Sequence, residues 1–202
     1  CLNLPAEVIG DHKKSTEIPF EKRLHSDDYG DLWIAEGTDI DGKKASTDSS
    51  GWLLPAGAYY LQGAVTIDKP IVIREKVTIC LNGKTLSSNG KSKIQVKNGG
   101  HLVLCDCQGG GTFKGATQNV WGGACVYLYT STFDMFGGKL TGGKVTKGAG
   151  GGGAIAMDDQ QCVFNMYGGE ISGNNGNNYG GAIFRKYDKN KPNITGGAFN
   201  MY

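Results

Sequence analysis

The stretch "NMYGGEISGNNGNNYGGAIF" runs from Asn165 to Phe184, and more than half of it is Gly or Asn. That composition alone reads as a loop. Apolar residues nevertheless recur in it: Met166, Tyr167, Ile171, Ile183 and Phe184. The glycines also recur elsewhere. Gly-Gly-Ala stands at 122–124, 152–154 and 180–182, spaced 30 and 28, and apolar residues follow each copy. "FDMFGGKLTG" from Phe133 returns as "FNMYGGEISG" from Phe164, 31 residues on.

Fainter copies extend the pattern in both directions. "ICLNGKTLSS" from Ile79 and "LCDCQGGGTFKG" from Leu104 fit it, as does "NITGGAFN" from Asn193 when laid under "NMYGGEIS". One anchor position then reads Leu86, Phe113, Leu140, Ile171 and Phe199, at intervals of 27, 27, 31 and 28. Within a unit the apolar period is two. "HLVLCDC", "TFDMF" and "CVFNMY" alternate as strands do, and Asn-Gly at 82–83 and 98–99 marks turns between them. A unit of about 28 residues with three short strands suits a coil that closes once per repeat and stacks on the last at about 4.8 Å. Glycine pairs serve its corners, where positive φ or close backbone approach excludes a side chain.

These repeats resemble the right-handed parallel β-helix of the pectin-lyase-like superfamily. More narrowly, they are similar to the Gly-Gly-Ala-Ile repeats of large bacterial cell-surface proteins. "LPAGAYYLQGAVTI…VTICLNGKTL" (54–86) resembles the opening coils of such proteins, and the likeness covers roughly residues 52–202. It implies an all-β, single-stranded solenoid of about five to six coils over 51–202, ending within a repeat. Residues 1–50 lack the repeat and are expected to form an N-terminal cap or leader, with Leu32, Trp33 and Ile34 docking on the first coil. Cys1 is the residue that a lipidated N terminus would need.

Composition narrows the function. Thirty-four glycines in 202 residues is about 17%, far above the usual ~7%, without a collagen period. The net charge of +2 and scattered lysines give no nucleic-acid stripe. No run reaches the ~18 apolar residues of a membrane span. The six cysteines (1, 80, 105, 107, 125, 162) are open to pairing, but packing in or near a core is the favoured reading. Cys105-Asp106-Cys107 lacks the second cluster that a zinc site needs.

For chemistry, Asp158-Asp159 is an adjacent carboxylate pair to weigh as acid and base of a glycoside hydrolase, and Arg185 or Lys186 as base of a polysaccharide lyase. The Asn-Thr-Asp, Gly-His-Gly and Arg-Ile-Lys companions of such enzymes are missing. Asp27, Asp28, Asp31, Asp39 and Asp41 are candidate calcium ligands but do not match the D-x-D-x-D-G loop, and a solvated acidic cap is the favoured reading. The sequence therefore favours a non-catalytic segment of an exported bacterial surface protein, adhesin-like or glycan-binding. An enzyme acting on acidic polysaccharide and a structural spacer are the alternatives. Trp121, Tyr127 and Tyr129 are the expected ligand-binding aromatics, with Tyr127 and Tyr129 outward, a glycan or host glycoprotein as partner, and Met157 and Arg185 as the equivalents of Tyr127 on later coils.

Overall fold

The computed structural model describes residues 38–40, 43–45, 47–48, 51–61, 63–67, 69–119, 122–146, 151–176, 180–186 and 197–202. Most of the expected cap, Leu32, Trp33 and Ile34 included, lies outside them.

Residues 38–48 form β1 (Thr38–Ile40), β2 (Lys43–Ala45) and β3 (Thr47–Asp48). From there the chain winds in coils of three strands. The first holds β4 (Gly51–Leu53), β5 (Gly57–Tyr60) and β6 (Val65–Ile67). The second holds β7 (Ile71–Ile73), β8 (Lys76–Cys80) and β9 (Thr85–Ser88). The third holds β10 (Ile94–Lys97), β11 (His101–Cys105) and β12 (Thr112–Lys114), with the short β13 (Thr117–Gln118). The fourth holds β14 (Val126–Tyr129), β15 (Thr132–Met135), β16 (Lys139–Thr141) and the short β17 (Lys144–Val145). The fifth holds β18 (Ile155–Met157), β19 (Val163–Met166) and β20 (Glu170–Ile171), and a sixth holds β21 (Ile183–Arg185) and β22 (Ala198–Met201). The path thus makes about four complete turns between its first and last three-stranded coils.

Equivalent strands stack into three sheets. The first runs β21-β18-β14-β10-β7-β4-β3, the middle one β22-β19-β15-β11-β8-β5, and the third β20-β16-β12-β9-β6. Among the described residues all pairing is parallel except β1 with β2 and β3 with β4. That antiparallel β3 covers the N-terminal edge of the first sheet, where a bare edge would invite pairing with another chain.

Alternation along each strand sends one side chain in and the next out, and stacking in register turns the inward residues into columns. Val65, Leu86, Phe113, Leu140 and Ile171 form one, as the period predicts over Leu86–Ile171. Phe199 does not join it. It stands over Phe164 in the middle sheet, in the column Val77, Leu102, Phe133, Phe164, Phe199. "VFNMY" and "AFNMY" are the matching segments, 35 residues apart, because the sixth coil carries a longer connection ahead of β22. Fully burying each such Phe, Leu or Ile contributes about 1.5–3 kcal/mol. Phe113, Phe133 and Phe164 are completely buried.

The glycines act at the corners. Gly123, Gly152 and Gly180 are equivalent, at intervals of 29 and 28, each three residues before the start of a first-sheet strand. A Cβ there would lie 2.3, 1.9 and 1.8 Å from the carbonyl oxygen of the residue three further on, an impossible approach for any other residue. The Gly-Gly-Ala at 122–124 is therefore one residue out of step with the later two copies. Cys125 takes the place of Ala154 and Ala182: the amides of Cys125 and Val126 both donate to Ala154 O (2.9 and 3.0 Å), as those of Ala154 and Ile155 do to Ala182 O (2.8 and 3.0 Å). The equivalents of Tyr127 are accordingly Ala156 and Phe184, and Met157 and Arg185 are those of Leu128.

Candidate recognition face

The outer face of the middle sheet carries two ladders that the inward columns make inevitable. In "TFDMF", "VFNMY" and "AFNMY" the first Phe points in, so the acidic or amide residue beside it points out, as does the aromatic that closes the motif. Register places Asp134, Asn165 and Asn200 directly above one another. Asn200 Nδ2 donates to Asn165 Oδ1 (2.8 Å), and Asn165 Nδ2 donates to Asp134 Oδ1 (2.7 Å). His101 Nε2 meets Asp134 Oδ2 at 2.7 Å. One polar chain thus spans four coils, and each amide nitrogen keeps a second hydrogen for another acceptor.

Burial pushes the Asp134 carboxyl up, but the hydrogen bonds from His101 and Asn165 outweigh it and hold the group below its ordinary value. It is an anion at neutral pH, and the strip carries a negative charge at one end.

Beside this chain Phe136, Tyr167 and Tyr202 stack, with ring centroids 4.6 and 4.8 Å apart and planes within 13°. Tyr167 and Tyr202 are 42% and 76% exposed. Burial first, then the nearby Asp134 carboxylate and Tyr202, raise the Tyr167 phenol, so it stays a neutral donor. Each ring covers the face of its neighbour. The ladder therefore presents ring edges and hydroxyls along its length.

The residues that the sequence nominates lie elsewhere, on the first sheet. Tyr127 and Tyr129 do point outward, while Val126 and Leu128 are buried. Tyr129 is 42% exposed, but Tyr127 is half-buried and its hydroxyl donates to Asp158 Oδ2 at 2.6 Å. Burial and then that carboxylate push the Tyr127 phenol up. Lys186 Nζ lies 3.0 Å from Asp158 Oδ1, at an angle that makes an ion pair rather than a hydrogen bond. Trp121 lies outside the described residues.

Asp158 and Lys186 are thus brought together, and Asp159 and Arg185 are not part of the group. Asp159 Oδ1 accepts from Gln161 N (2.7 Å), a turn bond, and Arg185 Nη2 donates to Gln160 O (3.3 Å). Of the acidic calcium candidates, Asp39 belongs to β1 and the others lie outside the described residues. Among the described residues no group of three or more His, Cys, Asp or Glu is arranged to hold a metal ion, and no helix is long and apolar enough to cross a membrane.

No protein-family model, curated protein or solved structure matches the chain.

The middle-sheet face is legible in the repeated F-[D/N]-M-[F/Y] motif. The glycine pairs hide it, since aligning on Gly-Gly puts Phe199 under Ile171 and leaves Asn200 and Tyr202 without partners.

Proposed function

We propose that the chain is a non-catalytic β-solenoid segment of a bacterial cell-surface protein, of the kind its likeness to the pectin-lyase-like superfamily implies, and that it binds an extended glycan along the outer face of the middle sheet. The observation that carries this reading is the polar chain His101–Asp134–Asn165–Asn200 beside the row Phe136–Tyr167–Tyr202. Both repeat once per coil, so they fit a ligand that itself repeats, lying along the solenoid axis. Amide and carboxylate groups match vicinal sugar hydroxyls, which donate and accept at once. The aromatic edges supply apolar contact without the ordering cost of long side chains.

The rival reading is an enzyme on acidic polysaccharide centred on Asp158. Its support is the convergence of Tyr127, Asp158 and Lys186. Against it, Asp158 is committed to both neighbours and Asp159 to its own turn, which leaves neither carboxylate poised over an open site.

Two measurements separate these. The intact chain is screened against host, mucin and plant glycans, and its turnover of uronate polymers is followed with and without calcium. Glycan binding without turnover supports the proposal. Turnover lost in Asp158→Ala establishes the rival. Neither binding nor turnover reduces the chain to a spacer.

A further inference from the structure

A second assembly of reactive groups lies at the C-terminal ends of the middle-sheet strands on the earlier coils, at the strand position that Phe136, Tyr167 and Tyr202 take on later ones. Cys80 and Cys105 end β8 and β11 in direct register. Two residues on, the turn at Asp106 brings Cys107 back over them. Asp106 fixes that turn by accepting from Gly83 N (2.7 Å) through Oδ1 and from Gly111 N (2.6 Å) through Oδ2. The result places Cys80 Sγ 3.2 Å from Cys107 Sγ. Cys107 N also donates to Cys80 Sγ (3.4 Å), and Cys107 Sγ donates to Asn82 Oδ1 (3.4 Å). Cys80 and Cys105 are buried, while Cys107 is partly exposed. The remaining described cysteines, Cys125 and Cys162, are buried.

We propose that Cys80 and Cys107 are a redox pair, closing a disulfide between the second and third coils by exchange with low-molecular-weight disulfides. The sulfurs need to approach by about 1.2 Å to reach the bond length of about 2.05 Å, which rotation of two side chains supplies. Cys105 is the third thiol, held against Cys80 as a hydrogen-bond donor.

The proton inventory supports the pairing. The Cys105 thiol first, against burial, and then the Cys107 amide and thiol hold Cys80 down to about 5, so the group carries one thiolate at neutral pH. Cys80 pushes Cys105 up, and burial followed by Cys80 pushes Cys107 up to about 11. The accessible Cys107 loses its proton to solvent, and the Cys107 thiolate attacks one sulfur of RSSR, forming the mixed disulfide and releasing RS⁻. That RS⁻ takes a proton from solvent and leaves as RSH. The Cys80 thiolate then attacks Cys107 Sγ and expels the second R group as RS⁻. One thiolate, one thiol and RSSR become one protein disulfide, RSH and RS⁻. This stands independently of what the outer face binds.

The test treats the intact chain with oxidised glutathione, blocks residual thiols by alkylation and maps tryptic peptides. The expected product joins residues 77–84 to 98–114, lighter by two hydrogens, with Cys125 and Cys162 alkylated. Fragment ions place the link at Cys107 rather than Cys105 in the wild-type chain, so the result does not depend on a variant that folds. Cys107→Ser is expected to abolish the link and Cys105→Ser to retain it at a slower rate. Separate alkylation of Cys80 and Cys107 after oxidant, a link at Cys105, or a Cys105–Cys107 bond within one peptide would each overturn the proposal.

Discussion

Phe164 stacks on Phe199 with ring centroids 5.2 Å apart and planes 8° from parallel, and on Phe133 from the other side at 4.9 Å and 17°. The middle ring is fully buried, and the outer one is 45% exposed. Cutting a ring from such a stack removes its transfer energy and leaves a cavity that the coils above and below cannot close. Phe164→Ala is expected to lower unfolding stability by about 3–5 kcal/mol in urea or guanidinium titrations. Phe199→Ala is expected to cost roughly half that or less, because much of its surface is already in water.

The corner glycines give a sharper contrast. At Gly152 a Cβ would sit 1.9 Å from Ile155 O and 2.7 Å from Phe184 N, so the backbone itself must move. At Gly181 the nearest atom is 4.0 Å away. Gly152→Ala is expected to abolish cooperative unfolding or cost more than about 3 kcal/mol, in the range of severe single-site lesions. Gly181→Ala is expected to leave the chain unchanged or stabilise it by about 0.4–1 kcal/mol through the unfolded state. Chemical denaturation of the two variants checks both.

Asp134 sets the acid limit of the outer ladder. Its folded pKa lies below the unfolded value of about 3.9, because the bonds from His101 and Asn165 outweigh burial. The unfolded chain therefore takes up the proton first. The stability that Asp134 contributes is fully present above that unfolded value and disappears as pH falls through the folded one. Wild-type stability is expected to drop below about pH 4 more steeply than that of Asp134→Asn. Equal slopes in the two proteins would remove the ladder from the account of acid stability.

Glycan binding is expected to follow the middle sheet, not the first. Asn165→Ala breaks the polar chain at its centre, and Tyr167→Ala interrupts the ring row. Each is expected to weaken binding by about tenfold or more, a loss of at least ~1.4 kcal/mol. Tyr129→Ala, on the other sheet, is expected to leave affinity within twofold. The reverse pattern, read from array or calorimetric titrations, would move the site back to the Tyr127–Tyr129 face.

The fold was readable because a solenoid writes its period into the chain. Leu86, Phe113, Leu140 and Ile171 fall in one column as the spacing requires, and the Asn-Gly turns at 82–83 and 98–99 all have positive φ. The two register errors share a cause. Gly-Gly pairs are tied to corners by backbone clash, and corners tolerate a one-residue offset, as Cys125 shows, or a long connection, as before β22. Strand motifs tolerate neither, since a slip of one residue reverses inside and outside. "FNMY" repeated intact at 164–167 and 199–202 was the more faithful marker. The thiol group was not readable, because only the turn at Asp106 brings Cys107 onto Cys80.

Every face described above depends on one register, and nuclear Overhauser contacts between labelled methyl and aromatic groups test it most directly. The account predicts contacts from Phe164 to both Phe133 and Phe199, and from Ile171 to Leu140. Contact between Ile171 and Phe199, with none between Phe164 and Phe199, would contradict it and dissolve the outer ladder with it.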